Sequence, residues 1–173
     1  GIRYIENRDG EILFKENQIK TQPISSGMAH IITSLLESVV QRGTAKKVRS
    51  LGRPTAGKTG TTNNYIDAWF LGYTPKLLTG VWVGKDDDEP LGKNETGSRT
   101  AIPIWLEYTK SVLANTPVHN FSVSPETVFI KVNPETGNLT DSEDSEGHFE
   151  IFLQDNLPDK QSNSRKVITD NTF

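Results

Sequence analysis

Three β-rich runs, Lys58-Thr59-Gly60-Thr61, Ile66 to Tyr73 and Leu77 to Gly84, succeed one another with only short interruptions. Their β-branched and aromatic residues favour extended backbone, and Thr74-Pro75-Lys76 supplies turn chemistry between the second and third. The succession reads as three consecutive antiparallel strands. It commits the chain to a sheet and obliges other elements to cover that sheet. Trp69 and Trp82 fall in the second and third runs and are expected to serve core and sheet packing.

Covering elements are legible on both sides of these strands. From Ser26 to Arg42, residues Met28, Ile31, Ile32, Leu35, Leu36, Val39 and Val40 recur at three- and four-residue steps as one helical stripe. Ser25 or Ser26 can cap its start, and Gly43 stands where a C′ residue belongs. A second amphipathic helix is expected over Thr100 to Ala114, with Pro103 tolerated in its first turn. Ile102, Trp105, Leu106, Tyr108, Thr109 and Val112 would pack it on the sheet. Near the start, Asn7-Arg8-Asp9-Gly10 lies between two apolar runs and signals a β-hairpin. Thr127 to Val132 reads as a strand followed by a turn at Asn133 to Gly137, with a further short strand at His148 to Leu153. The fold class is therefore α+β, an antiparallel sheet packed by helices.

Chemistry concentrates in Pro54-Thr55-Ala56-Gly57-Lys58-Thr59-Gly60-Thr61-Thr62-Asn63-Asn64. Gly52 to Thr59 matches the G-x-x-x-x-G-K-[ST] nucleotide-binding pattern letter for letter. That loop needs an apolar strand before it and a helix opening at its Lys-Thr. Lys46 to Ser50 is not a buried strand, and Gly60 to Asn64 is a poor helix start. The alternative takes Lys58 to Thr61 as an extended strand, with Thr59 and Thr61 on one face and Lys58 and Gly60 on the other. Two hydroxyls on one face can donate to a carboxylate, and Gly60 allows another element or a substrate backbone to approach closely. An ordinary surface strand with a solvated lysine is the plain alternative.

The surroundings of this strand favour a specific reading. Gly43-Thr44-Ala45, the run AGKTGTTNNYIDAWFLGYTP, Thr79 to Gly84 and Ala101-Ile102-Pro103-Ile104-Trp105 together resemble the C-terminal part of a penicillin-binding protein transpeptidase domain. The likeness is to the bifunctional class A type and covers roughly residues 1 to 140. It implies an incomplete piece of the serine β-lactamase/penicillin-binding transpeptidase fold. It also implies serine acyl transfer built from S-x-x-K, S-x-N and K-T-G motifs. By that resemblance Lys58 supplies positive charge, Thr59 and Thr61 bind a substrate carboxylate, Gly60 leaves room, and the Thr61 N–H joins an oxyanion hole. Implied partners are a peptidoglycan stem peptide, β-lactam antibiotics and the rest of the parent domain. The implied location is the extracytoplasmic side of the cell envelope, with anchoring by a segment not present here.

Only the third motif is present. No serine here has a lysine three positions on or an asparagine two positions on. Ser142-Glu143-Asp144 imitates S-D-N loosely, on the wrong side of the K-T-G strand. The nucleophile is thus expected upstream, and this chain alone is expected to be inactive; a non-catalytic half-domain or scaffold is the alternative. Residues 1–118 are read as transpeptidase and 119–173 as a C-terminal extension, flexible over Gln154 to Phe173. Self-association through an exposed sheet edge or helix-less sheet face is expected of such a piece.

Bulk properties exclude other classes. A net charge of -3 argues against nonspecific nucleic-acid binding. With no cysteine there is no disulfide or thiolate metal site, and no run reaches the ~20 apolar residues of a membrane span. Asp86-Asp87-Asp88-Glu89 lacks EF-hand spacing, and His30, His119 and His148 have no ligand partners in sequence, so neither metal nor cofactor is expected. Lys46, Lys47, Arg49 and Arg53 read as a solvated basic connection into the site strand.

Overall fold

The computed structural model describes residues 2–16, 22–140 and 147–159. It opens with the antiparallel hairpin of β1 (Tyr4–Glu6) and β2 (Ile12–Lys15). Asn7 Oδ1 closes the turn by accepting from the N–H groups of Asp9 (3.0 Å) and Glu11 (2.9 Å).

Helix α1 (Ser26–Gln41) starts at Ser25, whose hydroxyl accepts from Met28 N–H at 3.1 Å. It ends where Arg42 and Gly43 donate to Ser38 and Val39 carbonyls. The expected stripe is covered only in part: Val40 is buried, whereas Met28, Ile32 and Leu35 are exposed. Beyond α1, the supposed basic connection is a 3₁₀ turn over Lys46–Leu51 that buries Ala45 and Val48 completely. Its lysines point to solvent, but two small apolar residues without visible periodicity anchor it in the core. Arg53 is half-buried and hydrogen-bonded, not a freely solvated cation. Its guanidinium donates to the carbonyls of Leu113 (2.7 Å), Thr116 (2.8 Å) and Pro117 (3.1 Å), capping the C-terminus of a later helix.

The sheet consists of β3 (Ala56–Thr61), β4 (Ala68–Tyr73) and β5 (Leu78–Val83) in that order, all antiparallel. The Thr74 turn forms as expected, with Thr74 N–H bonded to Leu77 O at 2.8 Å. One face carries Ala68 and Phe70 into the core. Phe70 meets Trp105 edge to face, with ring centroids 5.2 Å apart and planes at 90°. Full burial of such side chains contributes about 2 to 3 kcal/mol each. The opposite face is open. Trp69 and Trp82 lie there, 41% and 49% exposed, so they pack across strands and not in the core. The core tryptophan is Trp105, whose indole N–H is satisfied by Thr79 O at 3.0 Å.

A π-helical turn at Gly97–Ala101 leads into α2 (Ile102–Leu113), a shorter helix than the periodicity suggests. Ile102, Trp105, Leu106 and Thr109 face inward as expected. Tyr108 and Val112 face solvent, and Leu113 takes the buried place instead. The hairpin of β6 (Thr127–Val132) and β7 (His148–Leu153) then packs on α1. Glu126 accepts from Ser26 Oγ (2.6 Å) and Gly27 N–H (2.9 Å) at the start of α1, and His30 Nδ1 pairs with Thr127 Oγ1 at 2.8 Å. His30 is thus a packing residue, as its isolation in sequence suggested. Ser142-Glu143-Asp144 lies outside the described residues, as does the tail from residue 160.

Candidate active site

Lys58, Thr59, Gly60 and Thr61 form the last four of the six residues of β3, an edge strand. Pairing fixes which groups they offer. Thr62 N–H bonds to Asp67 O at 3.1 Å, and hydrogen-bonded pairs recur at every second residue of an antiparallel ladder. Gly60 and Lys58 therefore turn their main-chain groups toward β4. Thr59 and Thr61 turn theirs to the open edge. Lys58 Nζ reaches round that edge to Thr59 O at 2.6 Å.

Side chains alternate as the strand reading requires. Thr59 and Thr61 share the face of their cross-strand partners Phe70 and Ala68, and Lys58 and Gly60 that of Leu71 and Trp69. Thr59 Oγ1 lies 2.9 Å from Thr44 Oγ1, on the loop leaving α1. Thr61 Oγ1 accepts from Gly97 N–H at 3.1 Å, at the start of the π turn. A Cβ at Gly60 would lie 3.2 Å from Trp69 Cβ, so this glycine also accommodates the tryptophan beside it.

Asp67 holds the exit from β3. It accepts from Trp82 Nε1 at 2.8 Å, and its own N–H donates to Thr62 Oγ1 at 2.8 Å. Asp67 thus both closes the strand end and orients the Trp82 indole. Between Thr62 and Asp67 the chain turns through left-handed backbone at Asn64 (φ 60°) and Tyr65 (φ 58°).

The edge thus collects one ammonium group, two outward amides and three hydroxyls, a donor-rich strip suited to a carboxylate or a developing oxyanion. It is an open edge, not an enclosed pocket. A cavity of about 170 Å³ lies elsewhere, lined among others by Arg53, Thr74, Lys76, Leu113 and His119. The nucleotide geometry is absent, because Lys58 and Thr59 sit inside a strand that leads to another strand. The acidic loop at Asp86 to Glu89 carries the pair Lys85 to Glu89 at 3.8 Å. No helix among the described residues is long and apolar enough to cross a membrane. Thr44 and Gly97 are site residues that sequence reasoning did not single out; Thr44 lay within a quoted motif, and Gly97 had no signal.

The family model described as penicillin binding protein transpeptidase domain matches residues 3–102, the part of the chain that holds the three-stranded sheet and its donor-lined edge strand. The chain belongs to that family, in its class A branch, and its fold is a partial penicillin-binding transpeptidase fold. Among its relatives, penicillin-binding protein 1A of Aquifex aeolicus is 38% identical over 157 residues, 91% of this chain and 22% of that protein. Penicillin-binding protein 1A of Pseudomonas aeruginosa is 39% identical over 136 residues, 78% of this chain and 16% of that protein. The crystal structure of penicillin-binding protein 1A from Haemophilus influenzae superposes with a TM-score of 0.73 at 27% identity, covering 93% of this chain and 30% of that one. The chain therefore spans about a fifth of the length of the first of these relatives.

Proposed function

We propose that these residues form the K-T-G wall of a serine-type peptidoglycan D,D-transpeptidase working at the extracytoplasmic side of the cell envelope. A serine outside this chain attacks the D-alanyl-D-alanine bond of a stem peptide, forming an ester and releasing the terminal D-alanine. The amine of a neighbouring stem peptide then attacks that ester, forms the crosslink and regenerates the serine. Lys58 attracts the substrate carboxylate and assists proton transfer through the S-x-N serine. Thr59 and Thr61 donate to the carboxylate from one face of the strand, and Gly60 lets neighbouring groups approach the other. The Thr61 N–H is one of two oxyanion donors, a contribution of ~3 kcal/mol for a single donor. β-Lactams acylate the same serine because they combine a comparable carboxylate with a strained amide.

The observation that supports this reading is the register of β3, which turns the Thr61 N–H to the open edge beside Lys58. Residues 1–118 are assigned to the transpeptidase and 119–173 to an extension whose described part packs on α1. Fluorescent penicillin provides the test. The chain alone is expected to stay unlabelled, and the polypeptide extended upstream through S-x-x-K and S-x-N is expected to label covalently. Lys58→Ala in the longer form is expected to abolish labelling. A stable labelled band from the chain alone, or none from the extended form, overturns the proposal; the latter result favours a non-catalytic scaffold.

A further inference from the structure

A lone exposed threonine in a loop is ordinary, but the placement of Thr44 is not. Gly43 N–H and Ala45 N–H both donate to Val39 O, at 3.0 and 3.2 Å. A Cβ at Gly43 would lie 2.9 Å from that same oxygen, so the chain folds back over the last turn of α1 because the residue is glycine. Ala45 is fully buried. Thr44 is therefore clamped on both sides. Its own side chain stays exposed, with the hydroxyl 2.9 Å from that of Thr59.

Counting protons shows what the pair can do. Two hydroxyls that share one hydrogen bond keep one proton for a further acceptor. When Thr44 donates, that proton belongs to Thr59, is turned away from Thr44, and becomes a better donor through polarisation along the chain. Thr61, which accepts from Gly97 N–H, keeps its own proton too. Each threonine of the strand thus keeps a proton for a further acceptor.

Resting on the function proposed above, we infer that Thr44 is a positioning residue for the substrate's terminal carboxylate. It fixes the Thr59 hydroxyl as a donor to that group and so contributes to selection for acids over their neutral derivatives. Free Thr59 would divide its proton among water and several acceptors. Held by Thr44, it offers that proton at one place.

The test uses the polypeptide that carries this chain together with its S-x-x-K and S-x-N segments. Acylation by benzylpenicillin is compared with acylation by its methyl ester, which lacks the negative carboxylate. Thr44→Val is expected to lower acylation efficiency with the acid about tenfold, through weaker binding, and to leave the ester within about twofold. Thr44→Ser is expected to retain the preference for the acid. Equal losses with acid and ester, or a valine variant acylated by the acid at the unsubstituted rate, overturn the inference. If valine prevents folding, Thr44→Ala supplies the same acid-to-ester comparison. Failure of the unsubstituted protein to be acylated at all would overturn the functional reading itself, and the inference with it.

Discussion

Gly97 is the position where the fold and the site depend most directly on one missing atom. A Cβ there would collide with the main-chain oxygen of Trp69, lie 2.9 Å from Gly60 O and 3.2 Å from Thr59 Cβ. Two of these three neighbours are backbone of the β3–β4 ladder, which cannot rotate away as a side chain could. Gly97→Ala must therefore lift the π turn from the strands, and with it the N–H that holds Thr61 Oγ1. Overpacking of this kind costs about 2 kcal/mol. For a chain of this length that corresponds to a fall in Tm of about 4 to 8 °C. Gly80→Ala is the matched control, because its Cβ would meet only Leu71 Cγ at an ordinary 3.7 Å. Thermal unfolding of both variants, followed by circular dichroism, decides the matter. A Gly97→Ala variant that melts within about 1 °C of the unsubstituted chain, or no lower than the control, refutes the close-packing argument.

Further expectations concern buried polarity and charge. Thr109 is fully buried on α2, and among the described residues its hydroxyl has no hydrogen-bond partner. Thr109→Val keeps the shape and removes the unsatisfied group, so the urea midpoint should rise, by up to about 1 kcal/mol in stability; a clear fall would show that the hydroxyl is satisfied. Two glutamates should oppose each other in pH dependence. The Glu126 carboxyl is held below its ordinary range, chiefly by the Ser26 hydroxyl and then by Gly27 N–H, so its stabilisation exists above the ordinary glutamate value and is lost as pH falls. Burial raises the carboxyl of Glu37 on α1, so its contribution is present at low pH and lost as pH rises through the folded value. Across Tm measurements from about pH 3 to pH 7, Glu126→Gln should flatten the acid limb, whereas Glu37→Gln should raise Tm at neutrality and leave it unchanged at low pH. Parallel curves for either variant and the unsubstituted chain would contradict its assignment.

Local signals carried much of the architecture into view. The sheet strands and their Thr74 turn, the Asn7 hairpin and the Ser25 cap follow from propensity, turn chemistry and capping, all of which act over a few residues. What stayed hidden depends on which surface meets which. Tyr108, Val112 and Leu113 lie on adjoining arcs of α2, and only the position of the sheet decides that Leu113 is the one covered. Trp69 and Trp82 have the composition of core residues, yet their strands face the core with Phe70 and Val81 instead. Ala45 and Val48 are too few and too small to reveal the 3₁₀ turn they anchor.

The same distinction separates the K-T-G strand from its surroundings. A motif records which groups line β3, and alternation along an extended chain gives their faces without further help. Neither can supply the partners, because Thr44 and Gly97 lie 15 and 36 positions from the threonines they touch. Each arrives by a different route: Thr44 through the glycine-dependent reversal after α1, and Gly97 through a π turn that only a residue without a side chain can press onto the ladder. The strand's hydroxyls are consequently oriented by elements whose own stability comes from the core around Phe70 and Trp105. Substitutions that loosen that core should separate the paired hydroxyls before they remove the strand itself, since the contacts with Thr44 and Gly97 come from the loop after α1 and the π turn and not from the β3–β4 ladder.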